Sequence, residues 1–171
     1  VEAMIDFPKP FIVAVNGLGV GYGATVCGLA DTVIMAESAR LRAPFSALGL
    51  TAELASTFTF PRLMGKQRAS WFLLAAEWMD SAACLEAGLV LEVVPDEELM
   101  ARVHEQASKL GALPLSSLMT TKSLLMDPLR DSMKAAMRAE NAGLDALTGS
   151  PANKEAMRAF MEKREPDFSG M

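Results

Sequence analysis

Residues 11–23 constrain this chain more than any other stretch. Phe11-Ile12-Val13-Ala14-Val15 is a continuous apolar run bounded by Pro10 and Asn16-Gly17, the pattern of a strand buried on both faces. Asn16-Gly17-Leu18-Gly19-Val20-Gly21-Tyr22-Gly23 follows, with a glycine at every second position, and then Ala24 to Ala30, which leaves room for only a short helix. A strand, a glycine-rich turn and a helix start place free backbone N–H groups where they can hold negative charge. Glycine lets the backbone come close to a ligand there. The same pattern also serves as a plain strand-to-helix turn. A dinucleotide fingerprint is the obvious comparison, because Gly19-x-Gly21-x-x-Ala24 fits one of its variants and Glu37 follows the next strand. Gly19 lies beyond the strand end, however, and no further strand–helix alternation is read downstream, so this reading is set aside.

The rest of the chain divides unevenly. Thr32-Val33-Ile34-Met35-Ala36 is a second buried strand, and Ala39 to Pro44 supplies a further extended piece. From Glu53 the pattern turns helical. Lys66 to Ala76 sets Ala69, Phe72, Leu73 and Ala76 on one face, Ser81 is read as the N-cap of a short helix, and Gly88 as its stop. Leu89 to Val94 reads as a brief extended return, and Asp96 as the cap of a helix through Leu110. Three more helices are expected, from Pro114 to about Leu125, from Asp131 to Leu147 and from Pro151 to Lys163. A strand-bearing first third and a helical remainder argue for an α+β or α/β unit with a helical C-terminal subregion.

Composition removes several function classes. With 171 residues, 51% hydrophobic and 22% charged, the chain has material for a packed core. Sixteen Lys and Arg against 21 Asp and Glu give a formal charge of −5 with no basic run, which excludes tracking of a nucleic-acid backbone. Its apolar stretches are broken well before the roughly 18 residues that a membrane span needs. No signal peptide is visible. Cys27 and Cys84 are far apart and lack Cys-x-x-Cys spacing, which fits a reduced, cytoplasmic-type compartment. The one histidine, His104, sits on a polar helical face and reads as solvated, the 12 methionines fall mostly at apolar helical positions, and no metal site is read.

One carboxylate stands apart. Between Pro44 and Ser56 the only acid is Glu53, set among small and apolar residues, where burial should raise its pKa toward a value that suits a general base. The alternative is a first-turn glutamate that interacts with a helix dipole.

Read together, the motifs resemble the enoyl-CoA hydratase/isomerase (crotonase) superfamily. The resemblance rests on Lys9-Pro10-Phe11-Ile12-Val13-Ala14-Val15-Asn16-Gly17, the glycines after it, Ala30-Asp31, Pro44-Phe45-Ser46-x-Leu48-Gly49 and Pro61-Arg62-Leu63-x-Gly65. It continues through Ala83, Gly88-Leu89-Val90, Val93, Lys122-Ser123-Leu124 and the terminal Ala159-Phe160-Met161-Glu162-Lys163-Arg164-x-Pro166-Asp167-Phe168. The order and spacing of these motifs make the resemblance specific. It implies an α/β crotonase-like (ClpP/crotonase) spiral of β-β-α turns, here partial, with a C-terminal helical trimerisation region. On that basis residues 1–65 form the C-terminal part of the spiral core, and residues 66–171 the helical region for oligomerisation and CoA contact. The first residues of the chain correspond to a point partway through the family's fold, so the chain is expected to be N-terminally incomplete.

The family resemblance also assigns roles. Members bind acyl-CoA thioesters and stabilise a thioester enolate with two backbone N–H groups. Tyr22, between Gly21 and Gly23, falls where the second of these donors sits. Gly21, Gly23, Thr25 and Phe45 are expected on the same basis to be substrate-binding, and Thr25 and Phe45 fall where family hydratases carry their two glutamates, which argues against classical hydration. Glu53 falls where 3,2-enoyl-CoA isomerases place their single catalytic glutamate. Phe160 and Lys163 match positions that contact the adenine and phosphate of CoA, although a core-facing Phe and a solvated Lys are equally natural at a helix end. The expected activity is therefore isomerisation of an enoyl-CoA in fatty acid β-oxidation. An enoyl-CoA hydratase, or a non-catalytic acyl-CoA-binding or oligomerisation module, is the alternative. No separate cofactor is implied, because CoA is part of the substrate. The resemblance further implies a homotrimer or dimer of trimers, in the cytoplasm or, in a eukaryote, the mitochondrial or peroxisomal matrix.

Overall fold

The two apolar runs become β1 (Ile12–Val15) and β3 (Thr32–Ala36), paired in parallel with Ile12 opposite Thr32 and Val15 opposite Met35. The structure, a computed structural model, describes residues 1–171. β6 (Glu92–Val94) adds in parallel to the far edge of β3, giving a sheet of order β1-β3-β6. Val33 to Ala36 are all buried, as expected of a central parallel strand covered on both faces. A second sheet joins β2 (Leu18–Val20), β4 (Arg40–Arg42) and β5 (Trp78–Asp80), parallel at β2–β4 and antiparallel at β4–β5. The chain turns a corner from β1 into β2 at Asn16-Gly17, and from β3 into β4 at residues 37–39. After β2 comes α2 (Tyr22–Thr25), continued by a 3-10 turn at Val26–Leu29; after β4 comes a 3-10 turn at Ser46–Leu48. Two strands in two sheets followed by a short helical piece is the β-β-α spiral that the resemblance implies.

Helices cover and extend this spiral. They are α1 (Glu2–Ile5), α3 (Ser56–Met64), α4 (Lys66–Ala75), α5 (Ser81–Ala87), α6 (Leu99–Gly111), α7 (Leu115–Leu147) and α8 (Pro151–Glu162). The main core takes Ile34, Met35 and Leu41 from the strands, and Phe60, Phe72 and Cys84 from α3, α4 and α5. A smaller core gathers Ile5, Leu29, Leu54, Ala55, Met133 and Met137, and so clamps α7 onto α1 and the start of α3. Lys122 adds a polar clasp: its ammonium meets Asp31 Oδ2 at 2.6 Å and the Lys9 carbonyl at 2.8 Å, while Asp31 also accepts from the Phe11 N–H. No helix is long and apolar enough to cross a membrane.

Several local expectations are corrected. The glycine-rich segment is not one turn, because Leu18–Val20 within it pairs with β4 as a strand. Within residues 66–171, β6 falls inside the extended return read over Leu89–Val94, while β5 is a strand that the sequence reading does not place. The parallel return of β6 to β3 also shows that strand–helix alternation does continue past β3; the split into two sheets is what separates this fold from a doubly wound one. The cap of α5 is Asp80, whose Oδ1 accepts from the Ala83 N–H at 2.8 Å, while Ser81 donates its hydroxyl to the Glu37 carbonyl. Asp96 caps no α-helix. It accepts from the Ser38 N–H and hydroxyl, and α6 begins only after a 3-10 turn at Asp96–Glu98. The two helices expected on either side of Pro128 are one helix of 33 residues. A proline inside a helix costs about 3 kcal/mol, and here the buried Met133 and Met137 on the same helix offset it.

Candidate active site

The site forms where the β2–α2 junction faces the segment before α3. Gly21 is the N-cap of α2 with φ 55° and ψ −115°, a conformation closed to most side-chain-bearing residues, and it is the only one of Gly17, Gly19, Gly21 and Gly23 with positive φ. Its N–H donates to the Arg42 carbonyl, and its carbonyl accepts from the Ala24 and Thr25 N–H groups. Tyr22 is the first helical residue, where a backbone N–H has no partner within the helix. Its ring lies on the surface, with the hydroxyl donating to Met4 Sδ at 3.2 Å. Thr25 is fully buried and returns its hydroxyl to the Gly21 and Tyr22 carbonyls at 3.2 and 3.4 Å. Thr25 therefore braces the turn from beneath.

Glu53 and Phe45 close on Gly21 from the other side. A Cβ built on Gly21 would lie 3.8 Å from Glu53 Oε1 and 3.9 Å from Phe45 Cε1. A side chain there would stand between the carboxylate and the helix start, so glycine keeps this space open. Glu53 is half-buried and precedes α3 rather than lying within it. Burial pushes its pKa up, and the negative charge of Glu140 on α7 adds to the effect. The helix-dipole alternative for Glu53 fails on geometry, because that place is filled from elsewhere. Glu140, itself buried, accepts from the Ala55 N–H at 2.6 Å, the Thr57 N–H at 2.9 Å and the Thr57 hydroxyl at 2.6 Å. Between Glu53 and α3, Leu54 and Ala55 both adopt left-handed conformations, with φ 63° and 58°.

An apolar cleft of about 270 Å³ adjoins this segment, lined by Phe45, Leu50, Ala52, Thr57, Ala69 and Leu73 among others. A larger open cleft of about 460 Å³, between Trp71 and Trp78, shares no residue with the Gly21–Glu53 group. Gly21, Tyr22, Gly23, Thr25, Phe45 and Glu53 are thus brought into one region. Phe160 and Lys163 are not part of it: Phe160 is 76% exposed near the end of α8, and Lys163 is the left-handed C-cap of that helix. No group of three or more His, Cys, Asp or Glu side chains is arranged to hold a metal ion. Glu140 is the residue that sequence reading passed over. Its signal was present, since Met133, Met137 and Glu140 follow helical spacing and form one buried stripe.

The enoyl-CoA hydratase/isomerase family profile matches residues 1–171. The chain belongs to this family. Enoyl-CoA delta isomerase 2 of Rattus norvegicus is 32% identical over 164 residues, covering 96% of this chain and 42% of its own length. A probable enoyl-CoA hydratase of Rhodobacter capsulatus is 32% identical over 170 residues, 99% of this chain and 66% of its own. The crystal structure of an enoyl-CoA hydratase/isomerase from Pseudoalteromonas atlantica T6c superposes with a TM-score of 0.94 at 34% identity, over 98% of this chain and 67% of that one. The chain of this enoyl-CoA hydratase/isomerase family member thus spans two thirds or less of the curated relatives it matches. Its β-β-α spiral and helical C-terminal region are those of the crotonase fold.

Proposed function

We propose that the intact gene product shifts the double bond of a 3-enoyl-CoA to the 2-position, with Glu53 as the proton carrier. The observation that carries this reading is the Glu53 carboxylate: half-buried, raised in pKa, and facing the space over Gly21 at the start of α2. Thr25 and Phe45 occupy the positions at which the resemblance places hydratase carboxyls, so one carboxylate is left to act, and one suffices for a double-bond shift. The thioester oxygen is taken to accept from the Tyr22 N–H. Glu53 removes a proton from the carbon alpha to the thioester, the electron pair moves into a dienolate held at that oxygen, and the same proton returns at the gamma carbon. A donor aimed at a developing oxyanion contributes roughly 10²–10³ in rate. The cleft lined by Phe45, Leu50 and Leu73 is suited to the acyl chain. Phe160 and Lys163, exposed on α8, offer a ring and an ammonium to the adenine and phosphate of CoA.

The relative named delta isomerase supports this reading, and the relatives named hydratase supply the second one. One assay pair separates them. In the intact gene product, Glu53→Gln keeps shape and polarity but takes no proton, and should lower isomerisation of a 3-enoyl-CoA by roughly 10²–10⁴, with binding retained. Hydration of a 2-enoyl-CoA should be slow in the parent. Brisk hydration by the parent favours the hydratase, and absence of both activities with CoA binding intact favours a non-catalytic module. Because the base must be ionised, the parent's rate should rise with pH through the raised pKa of Glu53.

A further inference from the structure

We propose that Glu140 is a positioning residue for Glu53, holding the left-handed Leu54–Ala55 turn that aims the Glu53 carboxylate at Gly21; this rests on the role proposed for Glu53. Two adjacent non-glycine residues at positive φ are unfavourable and persist only where their surroundings fix them. Here the surroundings do so in two ways. Leu54 and Ala55 are buried against Met133 and Met137 of α7. One turn further along α7, Glu140 takes three hydrogen bonds, one from Ala55 inside the turn and two from Thr57 just after it. Every donor it binds lies within four residues of Glu53, and all belong to the segment that sets the direction of that side chain.

Electrostatics adds a second link. Glu140 is the charged group that raises Glu53 beyond the effect of burial alone. The β2–α2 junction presents only Gly21 and Tyr22, the segment before the 3-10 turn presents the Phe45 ring, and the Arg42 guanidinium is turned away to the Ala76 carbonyl. A carboxylate that merely capped α3 would matter to stability and not to Glu53.

The two roles separate in the Glu140→Gln variant of the intact gene product. Gln nearly preserves volume but removes the charge and turns one acceptor into a donor facing a donor. If Glu140 positions Glu53, the ¹³C NMR titration of the Glu53 carboxyl, assigned by its absence in Glu53→Gln, moves to lower pH. The kcat for isomerisation then falls by up to about 10²-fold with KM little changed. Thr57→Val, which removes the hydroxyl donor, lowers kcat several-fold, and KM reports separately any effect on the cleft that Thr57 also lines. An unmoved Glu53 titration with unchanged kcat and a lowered Tm would overturn the proposal and leave Glu140 as a helix cap only. Should Glu140→Gln fail to fold, Thr57→Val decides, and an unchanged kcat there overturns it. A shifted Glu53 titration in a protein whose Glu53→Gln variant still isomerises would refute the isomerase reading while leaving the coupling between the two carboxyls in place.

Discussion

Keeping a carboxylate half-buried without a hydrogen-bonding partner destabilises the fold, and Glu53 should show this in its pH dependence. Its folded pKa is raised above the ordinary 4.5, so between that value and the raised one the folded chain binds more protons than the unfolded chain. Stability therefore falls as pH rises through this window, and the penalty is fully present above it. Glu53→Gln removes the penalty, so the variant should melt above the parent at pH 7.5 and together with it at pH 4; equal melting at pH 7.5 would contradict the desolvation argument. The two thiols are simpler. Burial pushes both Cys27 and Cys84 up to about 12, so neither is a thiolate near neutrality. Ellman's reagent at pH 8 should find no thiol in the native protein and two after denaturation. Glu53 was legible in the sequence because it is the only acid in a small and apolar segment. Glu140 was harder to see, because an acid on a long helix reads as solvated until the methionines at its own spacing are counted with it. The geometry that joins the two carboxyls depends on Leu54 and Ala55 being left-handed, and no local preference of Leu or Ala announces that.

At the scale of elements, legibility followed length and burial. β1 and β3 are continuous apolar runs and were readable, whereas β2, β4 and β5 have three residues each and take their strand character from pairing. β5 presents Trp78 and Asp80 outward, so it carries no apolar alternation to detect. The sequence predicts two helices where α7 is one, because Pro128 is a local stop signal that tertiary packing overrides. α8 docks through a close approach that sequence also does not reveal. The Asn153 side-chain amide donates to the Leu48 carbonyl at 2.8 Å, and a Cβ on Gly49 would come within 2.6 Å of the Asn153 nitrogen. Gly49 also has φ 63°. Gly49→Ala should cost about 1–2 kcal/mol for the left-handed backbone and about 1–3 kcal/mol for overpacking against main chain. In a domain of this size that lowers Tm by roughly 4–20 °C. A melt unchanged within a degree would show that α8 can retreat without loss.

The molecule as a whole leaves apolar surface uncovered along its C-terminal helices. Leu124 and Leu125 on α7, and Phe160 and Met161 on α8, are each about two thirds exposed or more. Apolar exposure of this extent marks an association surface. The trimer or dimer of trimers that the family resemblance implies would cover such a surface; light scattering at micromolar concentration should then show a homo-oligomer, and a stable monomer would refute this. The partners of the Glu140 carboxylate reach 85 residues back along the chain, to Ala55. Ribosomes add roughly 5–20 residues per second, so Glu53 leaves the ribosome roughly 4–17 s before the group that fixes its turn. During that interval the spiral strands can pair and Leu54 and Ala55 can meet Ile5 and Leu29, but the Ala55 and Thr57 N–H groups lack their carboxylate acceptor. A message broken before the codon for Glu140 would thus yield a protein with Glu53 present and the acceptor for its turn missing.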